Sequence, residues 1–199
     1  MALVDHATSM QEQQSKVTKR SQPLPMLSFL LGALSLIGTM LSLWMIFFYA
    51  PTDAVQGEIQ RIFYFHVPLE LAGMLSFGVL TLASLGYIVQ KKEHWDWVAR
   101  ASAEVGAVFI TIGLILGAIW GKETWGAWWV WDPKLTATFI LWFIYIGYIM
   151  LRSYMGRSTA SAYAGAVLAL VGVVDLPIIY LSVAWWRGQP WAPSLCCTC

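Results

Sequence analysis

Five apolar stretches, each long enough to cross a bilayer, alternate along the chain with short polar segments. The first, Met26 to Ala50, carries no charge. At 1.5 Å of helical rise per residue it covers a roughly 30 Å hydrocarbon core with some tilt. The others are Val67 to Gln90, Ala103 to Trp120, Leu135 to Leu151 and Ala160 to Trp185. This pattern predicts an all-α fold, a polytopic membrane helix bundle with about five transmembrane helices. A tryptophan-rich loop over residues 120–134 joins the third and fourth spans. Residues 1–25 are polar and predicted to be a disordered tail, 26–187 form one membrane domain, and 188–199 are a separate C-terminal tail. No typical signal-peptide flank or small-residue cleavage site frames the first span, so it reads as a retained helix.

Composition agrees with the membrane assignment. The 199 residues are 58% hydrophobic and 12% charged, about half the charge of an ordinary soluble domain. A formal net charge of +1 provides no basic field for nucleic acid. Nearly all ionisable groups sit in the polar segments. With the N-terminus inside, Lys16, Lys19, Arg20, Lys91, Lys92, Arg100, Arg152 and Arg157 face the cytoplasm or matrix, and Arg61, Lys122, Lys134 and Arg187 face outward. That asymmetry favours a cytoplasmic N-terminus and an external tryptophan loop. The segment "KKEHWDWVAR" reads as an inner connector whose Trp95 and Trp97 join the interfacial aromatic belt.

The loop "WGKETWGAWWVWDPK" holds Trp120, Trp125, Trp128, Trp129 and Trp131. A short helix would place Trp125, Trp128 and Trp129 on one face. An aromatic belt at the headgroups is one reading. The other is a platform for a large, flat, apolar ligand, each ring contact adding about 0.5–1.5 kcal/mol beyond area burial. Asp132 and Pro133 form an N-cap and N1 pair that launches the fourth helix. Pro68 at N1 of the second helix would set His66 just before it, on the same side as the tryptophans. His6 and His94 lie on the opposite side. A neutral imidazole facing a ring-stacking platform suits a flat macrocycle with a metal at its centre, which is haem. Arg61, Lys122, Lys134 and Arg187 are available to its propionates. Glu70, in the first turn of that helix, suits the positive helix end.

"WGKETWGAWWVWDPKLT" resembles the WWD signature of haem-handling membrane proteins. "RIFYFHVP" and "GVVDLPIIYLSVAWWR" narrow the resemblance to the cytochrome c maturation protein C family, also called haem exporter protein C, from Met26 to Arg187. The resemblance implies six transmembrane helices and haem, as transiently held haem b, on the outer WWD stretch. Trp120, Trp125, Trp128, Trp129, Trp131 and Asp132 would contribute to that site, with Arg61, Lys122 and Arg187 beside it. It implies His66 as one of two axial iron ligands. It also implies a non-enzymatic role: haem is passed to a periplasmic haem chaperone for c-type cytochrome assembly, alongside subunits of an ATP-binding-cassette export complex. The setting would be the lipid of a bacterial inner membrane, or less readily of a mitochondrial one.

The end of the chain departs from this pattern. Where the family has its second histidine stand Gln189 and Pro190, and a sixth span is missing. A shortened or frameshifted gene end accounts for both. The alternative is a variant with one histidine and an exchangeable sixth ligand. Cys196, Cys197 and Cys199 lack the following histidine of a c-type attachment site and read as accidental. Asp175 lies roughly 15 Å deep in the fifth span. An ionisable group at that depth is a functional candidate. The structural reading, a hydrogen bond to a neighbouring helix or to a carbonyl freed by Pro177, is preferred.

Three rivals remain. A cytochrome b-like electron carrier needs histidines paired within the spans, and none of the predicted spans contains one. A cytochrome c synthetase subunit shares the WWD signature but is longer. A structural membrane subunit would use its tryptophans only as anchors.

Overall fold

A computed structural model describes residues 25–187. The predicted tail before Pro25 lies outside the described residues, as do Gln189, Pro190, Cys196, Cys197, Cys199 and the side chains of residues 183–187. The chain divides into two compact units, one ending at Pro51 and the other starting at Thr52.

The described part of the first unit is an apolar helix, α1 (Pro25–Trp44), that ends in a π-helical turn, Met45–Tyr49. Two of its hydroxyls are satisfied within the helix. The hydroxyls of Thr39 and Ser42 donate to the carbonyls of Ser35 and Gly38, each at 2.8 Å, as a backbone surrounded by lipid requires.

The second unit opens with a tight turn in which the Asp53 carboxylate accepts from the N–H groups of Gln56 (2.7 Å) and Val55 (2.8 Å). Those bonds hold its carboxyl below the usual range. Then follow α2 (Gln60–Gln90), α3 (Glu93–Trp125), α4 (Pro133–Tyr154), α5 (Thr159–Gly172) and α6 (Asp175–Arg187). Among the described residues, five helical segments are long and apolar enough to cross a membrane: Met26–Tyr49, Gln60–Gln90, Glu93–Trp125, Pro133–Tyr154 and Thr159–Ser182. The expected all-helical architecture is therefore present.

Several boundaries differ from expectation. α2 starts at Gln60 and carries Pro68 inside it. Proline there removes a hydrogen bond and crowds the Tyr64 carbonyl. The helix continues because the turn ahead of it packs laterally, Phe63 against Trp120 with ring centroids 5.7 Å apart. α3 starts at Glu93, so "KKEHWDWVAR" is helical apart from Lys91 and Lys92. Glu93 and Asp96 favour the positive end of α3, and Lys91 closes α2 in the left-handed region at φ 53°. The predicted fifth span breaks at Val173–Val174. Pro177 has no N–H to offer Val173, so the Val173 carbonyl accepts from Leu176 instead (3.2 Å) and a new helix begins at Asp175.

The core lies among α2, α3, α4 and the last two helices: Phe77, Leu80, Ile110, Leu141, Tyr145 and Ile179 are fully enclosed. Tyr145 joins three helices. Its hydroxyl donates to the Gly73 carbonyl on α2 (2.8 Å), its ring meets Phe77 edge-on at 5.1 Å, and it fills the space left by Gly106 on α3. At the end of the bundle where α3 begins, Asp96 accepts from Arg100 (3.1 Å) and from Arg152 (2.6 Å). Arg152 is only 3% exposed, so the pair is dehydrated and losing either partner would strand a charge.

A methyl group at position 106 would stand 2.0 Å from the Tyr145 hydroxyl oxygen. Gly106→Ala should therefore lower stability by about 1–3 kcal/mol in thermal unfolding of the detergent-solubilised protein. The methyl would also meet the ring carbons Cζ and Cε1 of Tyr145, so Tyr145→Ala, which removes the whole ring, should leave the double variant less destabilised than the sum of the two single variants. Additive losses would show that the two residues do not collide.

Candidate functional site

The start of α2, the end of α3, the start of α4 and α6 lie at one end of the second unit, since short connections make successive helices antiparallel. α2 and α3 have 31 and 33 residues, against the roughly 20 that a bilayer core requires. His66 and Trp120 lie in the second turn from their adjoining ends.

His66 is not ahead of its helix but within it, half-buried against α3. Its Nδ1–H donates to the Gly113 carbonyl at 2.8 Å. A carbonyl only accepts, so Nδ1 holds the proton and the neutral ring keeps its lone pair on Nε2. The imidazole occupies the space left by Gly117: a Cβ there would lie 2.7 Å from His66 Cε1. One turn along, the Glu70 side chain leans on Gly113 in the same way, with Oε1 2.5 Å from where a Cβ would stand. Glu70 is therefore in the helix interior, not at its end as expected. Its Oε1 is buried and has no hydrogen-bond partner among the described residues. His66 and His94 each fall within a span, contrary to expectation, but at opposite ends of the bundle.

A cavity of about 480 Å³ opens beside this pair, within the range of ligand sites. His66 and Glu70 form one wall, Lys134 and Thr138 of α4 a second, and Ile179 and Tyr180 of α6 a third; the remaining lining is apolar. A second cavity of equal size lies at the opposite end, around Asp96, Arg100, Glu104 and Arg157. Its acids and bases already pair in part with each other, and no histidine, cysteine or methionine lines it.

The tryptophans do not form one helical face. α3 ends at Trp125, because Gly126 turns the chain at φ 76°, and residues 127–132 are not helical. Two aromatic groups result. Trp120 packs on Phe63 and edge-on against Trp125 (5.2 Å), and its indole N–H donates to Gln56 Oε1 at 3.3 Å. Trp129 packs edge-on against Trp131 (5.7 Å) and Phe139 (5.4 Å). Trp125, Trp128 and Trp131 are 50%, 60% and 75% exposed. None of the five lines the His66 cavity, although all lie at the same end.

The charged candidates have local partners. Asp132 caps α4 as expected, its Oδ1 accepting from Leu135 N–H at 2.7 Å, with Pro133 at N1. Lys122 donates to the Gly126 carbonyl at 3.0 Å and so closes α3. Arg61 pairs with Glu58 at 2.7 Å. The Arg187 side chain lies outside the described residues. Asp175 is 8% exposed, opens α6, and has Oδ2 without a partner among the described residues. Its place in the first turn fits the positive helix end, not the carbonyl bond expected of it. Glu70 was the residue that sequence reasoning missed. Its signal is the matched spacing of His66–Glu70 and Gly113–Gly117, which puts two polar side chains opposite two vacant positions.

Comparison with known proteins adds to this geometry. The family model described as "Heme exporter protein C" matches residues 10–192. The chain is 41% identical over 138 residues to "Heme exporter protein C" of Bradyrhizobium diazoefficiens, covering 69% of this chain and 52% of that protein. It is 40% identical over 141 residues to the protein of the same name from Escherichia coli K12, covering 71% and 58%. It is 35% identical over 147 residues to a "Putative cytochrome c biosynthesis ccmC-like mitochondrial protein" of Marchantia polymorpha, covering 74% and 60%. The chain thus spans between about half and three fifths of the length of these curated relatives. With the family model matched over most of its residues and relatives near 40% identity over about seven tenths of it, this integral membrane chain belongs to the heme exporter protein C family.

Proposed function

We propose that this chain holds haem at the outer face of a bacterial inner membrane and presents it to a periplasmic haem chaperone during c-type cytochrome maturation. Haem is cargo here, and the chain acts as a carrier, not as an enzyme. The observation that carries this reading is the His66 imidazole, with Nδ1 committed to a backbone carbonyl and Nε2 left for a metal, at the wall of a mostly apolar cavity. A hydrogen bond from the second ring nitrogen is the usual way a histidine ligand is oriented and made more basic. The other features fit a metalloporphyrin. Much of the cavity lining is apolar, Lys134 is available to a propionate, and exposed Trp125, Trp128 and Trp131 offer ring faces at the same end. Asp132 serves this site by fixing where α4 starts, and so where Lys134 stands.

Exposure of the indoles suits handover. Each exposed ring contact contributes about 0.5–1.5 kcal/mol, enough in sum to retain an apolar ring and individually small enough to be released in steps. A cytoplasmic N-terminus, ATP-binding-cassette partners and the domain limits 26–187 belong to the same proposal, supported by the charge asymmetry and by family membership.

His66→Ala should abolish the protein-bound Soret band of material purified in mild detergent and loaded with haem. An unchanged spectrum would remove His66 from the site. Replacing Trp125, Trp128 and Trp131 by Ala should each weaken haem binding about twofold to tenfold in a titration. A wild-type chain that takes up no added haem would leave the tryptophans as anchors only. Gly117→Val, which fills the imidazole slot, should reduce haem content as severely as His66→Ala; full retention would show that the slot does not set the ring.

A further inference from the structure

We infer that Glu70 is a positioning residue for the oxidation state of the cargo: its carboxylate makes the His66 cavity favour a ferric over a ferrous porphyrin. This rests on the reading of His66 as the iron ligand. Three observations lead to it. Glu70 follows His66 by one helical turn, so the two side chains stand on one face with Cβ atoms about 5–6 Å apart. Both line the same cavity. The Glu70 oxygen that faces α3 is buried and has no hydrogen-bond partner among the described residues.

An unpartnered buried carboxylate oxygen is costly, and a fold that needed only a helix face there would have placed an apolar residue against Gly113. The glycine instead leaves room for the carboxylate. The chemistry that such a group recognises is positive charge. A porphyrin ring dianion around Fe(III) carries one net positive charge at its core, and around Fe(II) none. In its ionised form, a carboxylate one turn from the axial imidazole lowers the energy of the first and leaves the second unaffected, because the effect is Coulombic and the cavity is of lower dielectric than water. Lys134, on the opposite wall, acts in the reverse sense, and its exposure weakens it. No other charged side chain lines the cavity among the described residues.

The test uses the full chain in detergent, loaded with haem and followed by its Soret band through a potentiometric titration. Glu70→Gln should raise the midpoint potential by about 59 mV or more, which is a tenfold change in the ferric-to-ferrous affinity ratio for one electron. Glu70→Asp should stay close to wild type. Titration with gallium(III) and zinc(II) protoporphyrin, which share the ring and differ in core charge, should give a matching loss of preference for gallium in Glu70→Gln. Equal midpoints and equal preferences in wild type and Glu70→Gln would overturn the inference while leaving the haem reading intact. A wild-type chain that takes neither porphyrin would sink that reading itself. Should Glu70→Gln not fold, Lys134→Glu places a second negative charge on the cavity and should deepen the gallium preference; an unchanged preference there also overturns the inference.

Discussion

The close approach of helices along one face of α3 is the constraint on which the second unit depends. At positions 106, 113 and 117 that face has no side chain, and a neighbour occupies each vacancy: Tyr145 from α4, then Glu70 and His66 from α2. Between apolar helices in lipid there is little hydrophobic drive to associate, so van der Waals contact and interhelical hydrogen bonds must hold the assembly. The glycine face supplies both. It lets the Gly113 carbonyl come within bonding distance of His66 and lets Tyr145 reach across to Gly73. The same vacancies that bring the helices together therefore also aim the polar groups.

The two ends of this unit solve opposite problems. Where α3 begins, Asp96 accepts from both Arg100 and Arg152, and the tight Arg152–Asp96 contact is dehydrated. Where α3 ends, among the described residues, the buried Oε1 of Glu70 and N–H of Trp129 have no hydrogen-bond partner, and no ion pair crosses between helices.

Much of this was legible in the sequence. The five spans follow from unbroken apolar length, and the α4 cap from an Asp-Pro pair whose chemistry is local. The errors share a cause. Pro68 and the charged run before Ala103 were taken as helix boundaries because local propensity disfavours helix there, and tertiary packing of Phe63 and Asp96 overrode it. The tryptophan face failed for the opposite reason, since Gly126 stops the helix before the spacing can matter. Glu70 was hidden because its importance arises only when α2 and α3 are in register, which no single-helix pattern reveals.

The bond between His66 and the Gly113 carbonyl also has a kinetic meaning. An imidazole held by its far nitrogen and boxed in by a neighbouring backbone stays in its slot after a metal departs. With His66 as the iron ligand proposed above, release would require only that the metal–nitrogen bond break, with no ring rotation to follow, and the empty seat would be ready at once.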